Sequence, residues 1–129
     1  MKRNTARIGL LHTTIRGDEK LLIEAAQSRG VSLSLIDVRE QIFDPFARRP
    51  QVDIVLERCV STVKGTHAVE FYESLGIPAV NPLSIATVCE NKFLTSLALV
   101  RHRVPTPRFV LAFSEEQSKK AVRALGGYP

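Results

Sequence analysis

Apolar and polar positions along this 129-residue chain fall into blocks that switch repeatedly between a two-residue and a helical period. Ala6–His12 (ARIGLLH) is a short apolar run bounded by polar residues, the pattern of a buried strand. After a loop at Thr13–Gly17, a helix capped by Asp18 or a neighbour is expected to about Arg29. Leu21, Leu22, Ala25 and Ala26 give it one apolar face, and Gly30 stops it. Val31–Asp37 (VSLSLID) alternates as a half-buried strand does. Val38–Gln51, with Pro45, Pro50 and the Arg48-Arg49 pair, reads as irregular, and Val52–Glu57 (VDIVLE) as a third strand. Lys64–Leu75 is an amphipathic helix through Ala68, Phe71, Tyr72 and Leu75 that ends at Gly76, and Ile77–Val80 is a short fourth strand.

Asn81-Pro82 has the form of an N-cap followed by proline at the first helical position. Helices are therefore expected over Leu83–Cys89 and, behind an Asn91 cap, over Lys92–Arg101. Pro105 and Pro107 mark a hinge, followed by a strand at Arg108–Ala112 and a helix from Ser114 to about Leu125. Strands separated by helices predict an α/β fold with a parallel sheet. The segment after the hinge has too few apolar residues for a core of its own. The expected division is accordingly 1–103 and 104–129.

Composition places the chain among ordinary globular domains, with 44% hydrophobic and 24% charged residues. No apolar run approaches the ~18 residues of a membrane span, and Ile8–Leu11 is too short for a signal segment, so no membrane partner and a cytoplasmic setting are expected. Cys59 and Cys89 have no CxxC or metal-ligand spacing and read as buried free thiols. The net charge is +5. Lys and Arg are spread evenly, without a concentrated stripe or interleaved aromatics, which argues against nucleic acid and suits an acidic protein or nucleotide phosphates.

Open parallel sheets bind ligands beyond the C-terminal ends of their strands. That selects His12–Gly17, Arg58–Ser61 and Asn81. The first loop lacks GxGxxG, so a dinucleotide site is not expected, but it carries Arg16. Arg58 could grip a carboxylate through two parallel hydrogen bonds; by spacing it equally suits an ion pair with Asp53, Glu57 or Asp18. Lys92 opens a helix, where exposed N–H groups and the helix dipole repel a cation by ~0.3–1 kcal/mol and attract a phosphate. Electrostatics alone favours a solvated Lys92, or one turned back to Glu90, over a phosphate ligand. His12 is the one histidine expected at the ligand edge, and His67 and His102 fall on helices. No nucleophile–base pair, acid–base carboxylate pair or metal-ligand cluster is evident, so no catalytic residue is assigned.

Glu57–Ser61 (ERCVS), Gly65, Phe71-Tyr72, Leu75–Pro78 (LGIP), Val80-Asn81, Cys89–Leu99 (CENKFLTSLAL), Val104–Pro107 (VPTP) and Gly127–Pro129 (GYP) together resemble the LysX type of ATP-grasp ligase. Asp18-Glu19 behind Arg16 fits the same pattern. More distantly, the chain looks like the RimK ligases. The resemblance implies a pre-ATP-grasp α/β domain followed by the first strand and helix of an ATP-grasp domain. It implies joining of α-aminoadipate, or glutamate in the ArgX type, to the C-terminal glutamate of a small acidic carrier protein, LysW, at the expense of ATP and with magnesium. It further implies that Lys92 contacts an ATP phosphate, and that Arg16, Arg58, Ser61 and Asn81 face substrate or carrier. Ligases of this type are commonly homo-oligomers. They continue past GYP with a second ATP-binding lysine, a glycine-rich loop and magnesium ligands, so this chain alone is expected to be inactive. The alternatives are a non-catalytic carrier-binding module and a RimK-like glutamate ligase fragment.

Overall fold

The computed structural model describes residues 6–127. The chain forms two compact units that divide between Thr87 and Val88. The first contains β1 (Arg7–His12), α1 (Gly17–Ser28), β2 (Ser32–Asp37), β3 (Ile54–Glu57), α2 (Thr62–Ser74) and β4 (Ala79–Val80), and the division falls within α3 (Leu83–Glu90). The four strands make one parallel sheet in the order β2-β1-β3-β4. This is the expected α/β architecture, with helices linking β1 to β2 and β3 to β4.

β1 lies between two neighbours, and Leu10 and Leu11 have no solvent exposure. The core gathers Leu11, Val38, Val52, Val55, Ala68, Val69, Tyr72, Ile77 and Ala79. Ala68 and Tyr72 bring the apolar face of α2 onto it, with Phe71 and Leu75 packed alongside. The irregular segment between β2 and β3 is pinned there by Phe43. Its ring meets Phe71 edge-on at 5.1 Å and Tyr72 at 6.5 Å between centroids, a favoured aromatic geometry.

α1 ends as its glycine signals. Gly30 takes φ +63°, its N–H bonds Gln27 O, and the Val31 N–H reaches Ala26 O at 2.9 Å, the paired bonds of a Schellman cap. α2 ends the same way around Gly76, with Ile77 N–H to Tyr72 O at 3.0 Å.

Two starts differ from expectation. Arg16, not Asp18, holds the N-cap position of α1, because the Glu19 carboxylate accepts the Arg16 backbone N–H at 2.9 Å. For α3, Asn81 is not the cap. Pro82 O accepts the Ala86 N–H, and the Leu83 N–H is taken at 3.0 Å by the Glu73 carboxylate from α2. A charged acceptor supplied from a packed neighbour displaces the local asparagine.

The second unit contains α4 (Lys92–Arg101) and α5 (Glu115–Ala124), and none of its described residues is buried. The shortage of apolar residues noted in the sequence explains this. Arg108–Ala112, expected as a strand, belongs to no sheet. A strand needs a partner for its N–H and C=O groups, and every paired strand among the described residues lies in the first unit. Cys89 is exposed rather than buried, because α3 buries no residue; Cys59 is half-buried, and both thiols are free. α4 also ends in a Schellman cap, but the left-handed position is held by Arg103 at φ +56° instead of glycine. No single helix among the described residues is long and apolar enough to cross a membrane.

Gly65 faces the end of β3 closely: a Cβ there would run into the Glu57 carboxylate, with its Cδ 2.9 Å away and Cys59 Cβ at 3.3 Å. Gly65→Ala is expected to push the Glu57 carboxylate off the Cys59 N–H and, after the gain in helix preference, to destabilise the first unit by roughly 1 kcal/mol. An unchanged urea midpoint would contradict this packing.

Candidate functional site

The parallel register sets the loops after β1, β3 and β4 on one edge of the sheet. Leu11 stands opposite Glu57 and Leu56 opposite Val80, and Arg58 N–H bonds Leu11 O at 2.9 Å. The first two loops are tied directly, since the buried Thr13 hydroxyl oxygen accepts the Val60 N–H at 3.0 Å. Within the β3 loop, Glu57 Oε1 accepts the Cys59 N–H at 2.6 Å.

Arg16 and Arg58, distant in sequence, come together on one carboxylate. Glu19 is fully buried in the first turn of α1. Its Oε2 accepts from Arg16 Nε at 3.1 Å, and its Oε1 from Arg16 Nη2 at 3.1 Å and Arg58 Nε at 3.0 Å. The hydrogen bonds from Arg16, then that from Arg58, outweigh burial and lower the Glu19 carboxyl from its ordinary 4.5 to about 2. The same contact raises the Arg16 guanidinium above its ordinary value. Arg58 also reaches Asp18 at 3.3 Å, an exposed contact of little energetic weight. So Arg58 does pair with Asp18, one of the partners its spacing allows, and pairs more closely with Glu19.

The guanidinium of Arg58 keeps most of its five N–H donors uncommitted. It lines an open cleft of about 480 Å³ with Asp18, Leu21, Leu22 and Leu56. The cleft offers one cationic fork beside an aliphatic wall. Ser61 instead serves the backbone: its hydroxyl oxygen accepts the Lys64 N–H at 3.4 Å and caps α2. Asn81 follows β4 and is exposed.

Lys92 belongs to the second unit, as the exposed first residue of α4. Asn91 caps that helix as expected, its Oδ1 accepting the Phe93 and Leu94 N–H groups at 3.0 and 3.1 Å. Edge-on contact of Phe93 with Phe109, centroids 6.0 Å apart, holds the turn beside it.

His12 ends β1 nearly buried, and its Nδ1 has no hydrogen-bond partner among the described residues. Burial, and then the neighbouring Glu57 carboxylate, push the Cys59 thiol up to about 12. A thiol so held stays protonated and is no nucleophile. Among the described residues no His, Cys, Asp and Glu cluster could hold a metal ion. The arrangement presents guanidinium donors that can grip an anion. Glu19 entered the sequence reading only as part of the Asp18-Glu19 pair behind Arg16 and without a role, although R-x-x-E at a helix start is the spacing at which an N3 carboxylate reaches back to the cap.

The lowered Glu19 carboxyl means that its ion pairs stabilise the fold above about pH 4.5 and lose that effect as pH falls toward 2. Glu19→Gln should therefore be less stable than the wild type at neutral pH, with the difference shrinking across that window. A constant difference in denaturant titrations would contradict the ion-pair origin.

Residues 8–88 match the family model of the LysX preATP-grasp domain. The glutamate–LysW ligase ArgX of Sulfurisphaera tokodaii is 28% identical over 93% of this chain and 43% of its own length. The α-aminoadipate–LysW ligase LysX of Saccharolobus solfataricus is 29% identical over 88% of this chain and 42% of its own. The crystal structure of a RimK domain ATP-grasp protein from Sphaerobacter thermophilus has a TM-score of 0.79 at 28% identity. It covers 96% of this chain and 47% of that one. The chain thus spans less than half the length of these relatives. The four-strand parallel order and the matched region together place this chain in the LysX preATP-grasp domain family.

Proposed function

We propose that this chain works as the N-terminal part of an ATP-dependent carboxylate–amine ligase. The ligase would attach α-aminoadipate or glutamate to the C-terminal glutamate of an acidic amino-group carrier protein through an acyl phosphate. The observation that carries this reading is that relatives named as LysW ligases align over about nine-tenths of the chain. Residues 1–103 are read as the pre-ATP-grasp domain with its linking helices, and 104–129 as the start of the ATP-grasp domain. A cytoplasmic, homo-oligomeric enzyme belongs to the same reading.

Each candidate residue then has a task. Lys92, exposed at the start of α4, would meet an ATP phosphate, whose charge suits both the cation and the positive end of the helix dipole. Bound ATP and magnesium would supply the activating phosphoryl group. Arg58, steadied on Glu19, would present its remaining donors to a carboxylate, and Arg16 would share that edge. Ser61 and Asn81 would border the same loops. The +5 charge would draw an acidic carrier toward the chain, an attraction weakened by salt.

The test is ADP formation by the polypeptide of the complete reading frame, given ATP, magnesium, amino acid and an acidic carrier ending in glutamate. Turnover should require both carrier and amino acid, and Lys92→Ala should lower it on the order of 10²-fold, the usual loss when one charge-stabilising donor is removed. ADP formation indifferent to the carrier would defeat the proposal. Carrier affinity measured by calorimetry should fall as salt rises; an affinity independent of salt would remove the steering role of the charge.

A further inference from the structure

The opposite edge of the sheet carries a second concavity. Arg7 at the start of β1 and Asp53 just before β3 line it with Arg48, Arg49, Pro50 and Gln51. Its volume is about 520 Å³, within the range of small-molecule sites. Three arginines therefore surround one aspartate, and that aspartate is already taken. Asp53 accepts from the Arg7 backbone N–H at 2.7 Å, from Nε at 3.1 Å and from Nη2 at 2.7 Å. Arg49 donates to the neutral carbonyl of Gly76 at 3.4 Å and adds its charge to the field that keeps Asp53 ionised, without an ion pair of its own. Arg48 has no hydrogen bond or ion pair among the described residues.

Elsewhere in this unit Arg16 and Arg58 share Glu19 and Arg39 holds Asp37, while Arg29 ends α1 without an ion pair. What sets Arg48 and Arg49 apart is that two adjacent guanidiniums without an ion pair line one cleft. Pro50 restricts the backbone of Arg49 to extended conformations. A guanidinium offers parallel N–H donors that fit phosphate or carboxylate oxygens two at a time. The size of the cleft suits a compact anion.

We propose that the Arg7–Arg48–Arg49 cleft binds a small oxyanion carrying two negative charges, remote from the loops after β1, β3 and β4. It is an effector-type site and does not rest on the ligase reading. Such charge on a small molecule comes from a phosphate group or from a dicarboxylate, so both are used as probes.

The 129-residue chain is titrated with inorganic phosphate and, separately, with glutarate at low ionic strength. Binding is read by calorimetry and by the Nε–H resonances of the arginines. Saturable binding of at least one probe is expected, with shifts at Arg48 and Arg49. The probe that binds more tightly identifies the group. Arg48→Gln, at a side chain that makes no intramolecular bond, should weaken binding about tenfold, as loss of a charged hydrogen-bond partner does. Lys20→Gln, at an exposed cation of α1 outside the cleft, should leave it unchanged. Absence of saturable binding by either probe, unmoved Arg48 and Arg49 resonances at saturation, equal affinity in Arg48→Gln, or loss of binding in Lys20→Gln would each overturn the proposal. None of these results bears on carrier-dependent ADP formation, and failure of that assay leaves this titration intact.

Discussion

A carboxylate removed from water is tolerated only when its lost hydration is replaced by donors of opposite charge. Glu19 is such a group, and the first unit is organised around that requirement. Its oxygens take one backbone N–H and two guanidiniums, from residues on either side of the β1–β3 boundary. The contact therefore starts α1, orients Arg16 and Arg58, and couples the loop after β3 to the helix after β1. The Thr13–Val60 bond closes the same junction from the backbone. Without a carboxylate there, two cationic side chains would have little reason to share one small region.

The distribution of charge follows from this pairing. Overall the chain is +5 with basic residues spread evenly along it, which suggests a uniformly positive surface. In three dimensions much of that charge is cancelled at short range, by Asp53 on Arg7, Glu19 on Arg16 and Arg58, and Asp37 on Arg39. In α5, Lys119 and Lys120 meet Glu115 and Glu116 one turn away. Ten described basic residues, from Lys20 to Arg123, stand outside these pairs and carry the positive field. Charge counted along the sequence thus does not say which of its cations are already engaged.

Legibility of the sequence tracked the range of the interactions involved. The strand–helix order, the Gly30 and Gly76 stops and the Asn91 cap were readable because each depends on residues within one turn of each other. The apolar stripe of α2 was readable because periodicity reports burial directly. The misses came from distant partners. Glu73 on α2 captures the N–H that Asn81 was expected to serve, and Arg108–Ala112 has strand composition but no neighbour to pair with. At the site, Arg58 and a possible Asp18 partner were visible as residue types. Glu19 was visible beside Asp18, but its burial was not, because nothing local marks a charged residue as the one that the fold buries.

The end of α4 carries a consequence of a different kind. Where α1 and α2 turn out of their helices on glycine, this one turns on Arg103, held at φ +56°, a conformation that costs an L-residue with a side chain on the order of 1–2 kcal/mol. That energy is released as soon as the turn lets go. The helix end is thus loaded against its own cap, and the stretch from His102 into Pro105 forms the weak seam of the second unit. Fraying should begin there before α4 or α5 melts, so a protease or an exchanging amide would register this seam first.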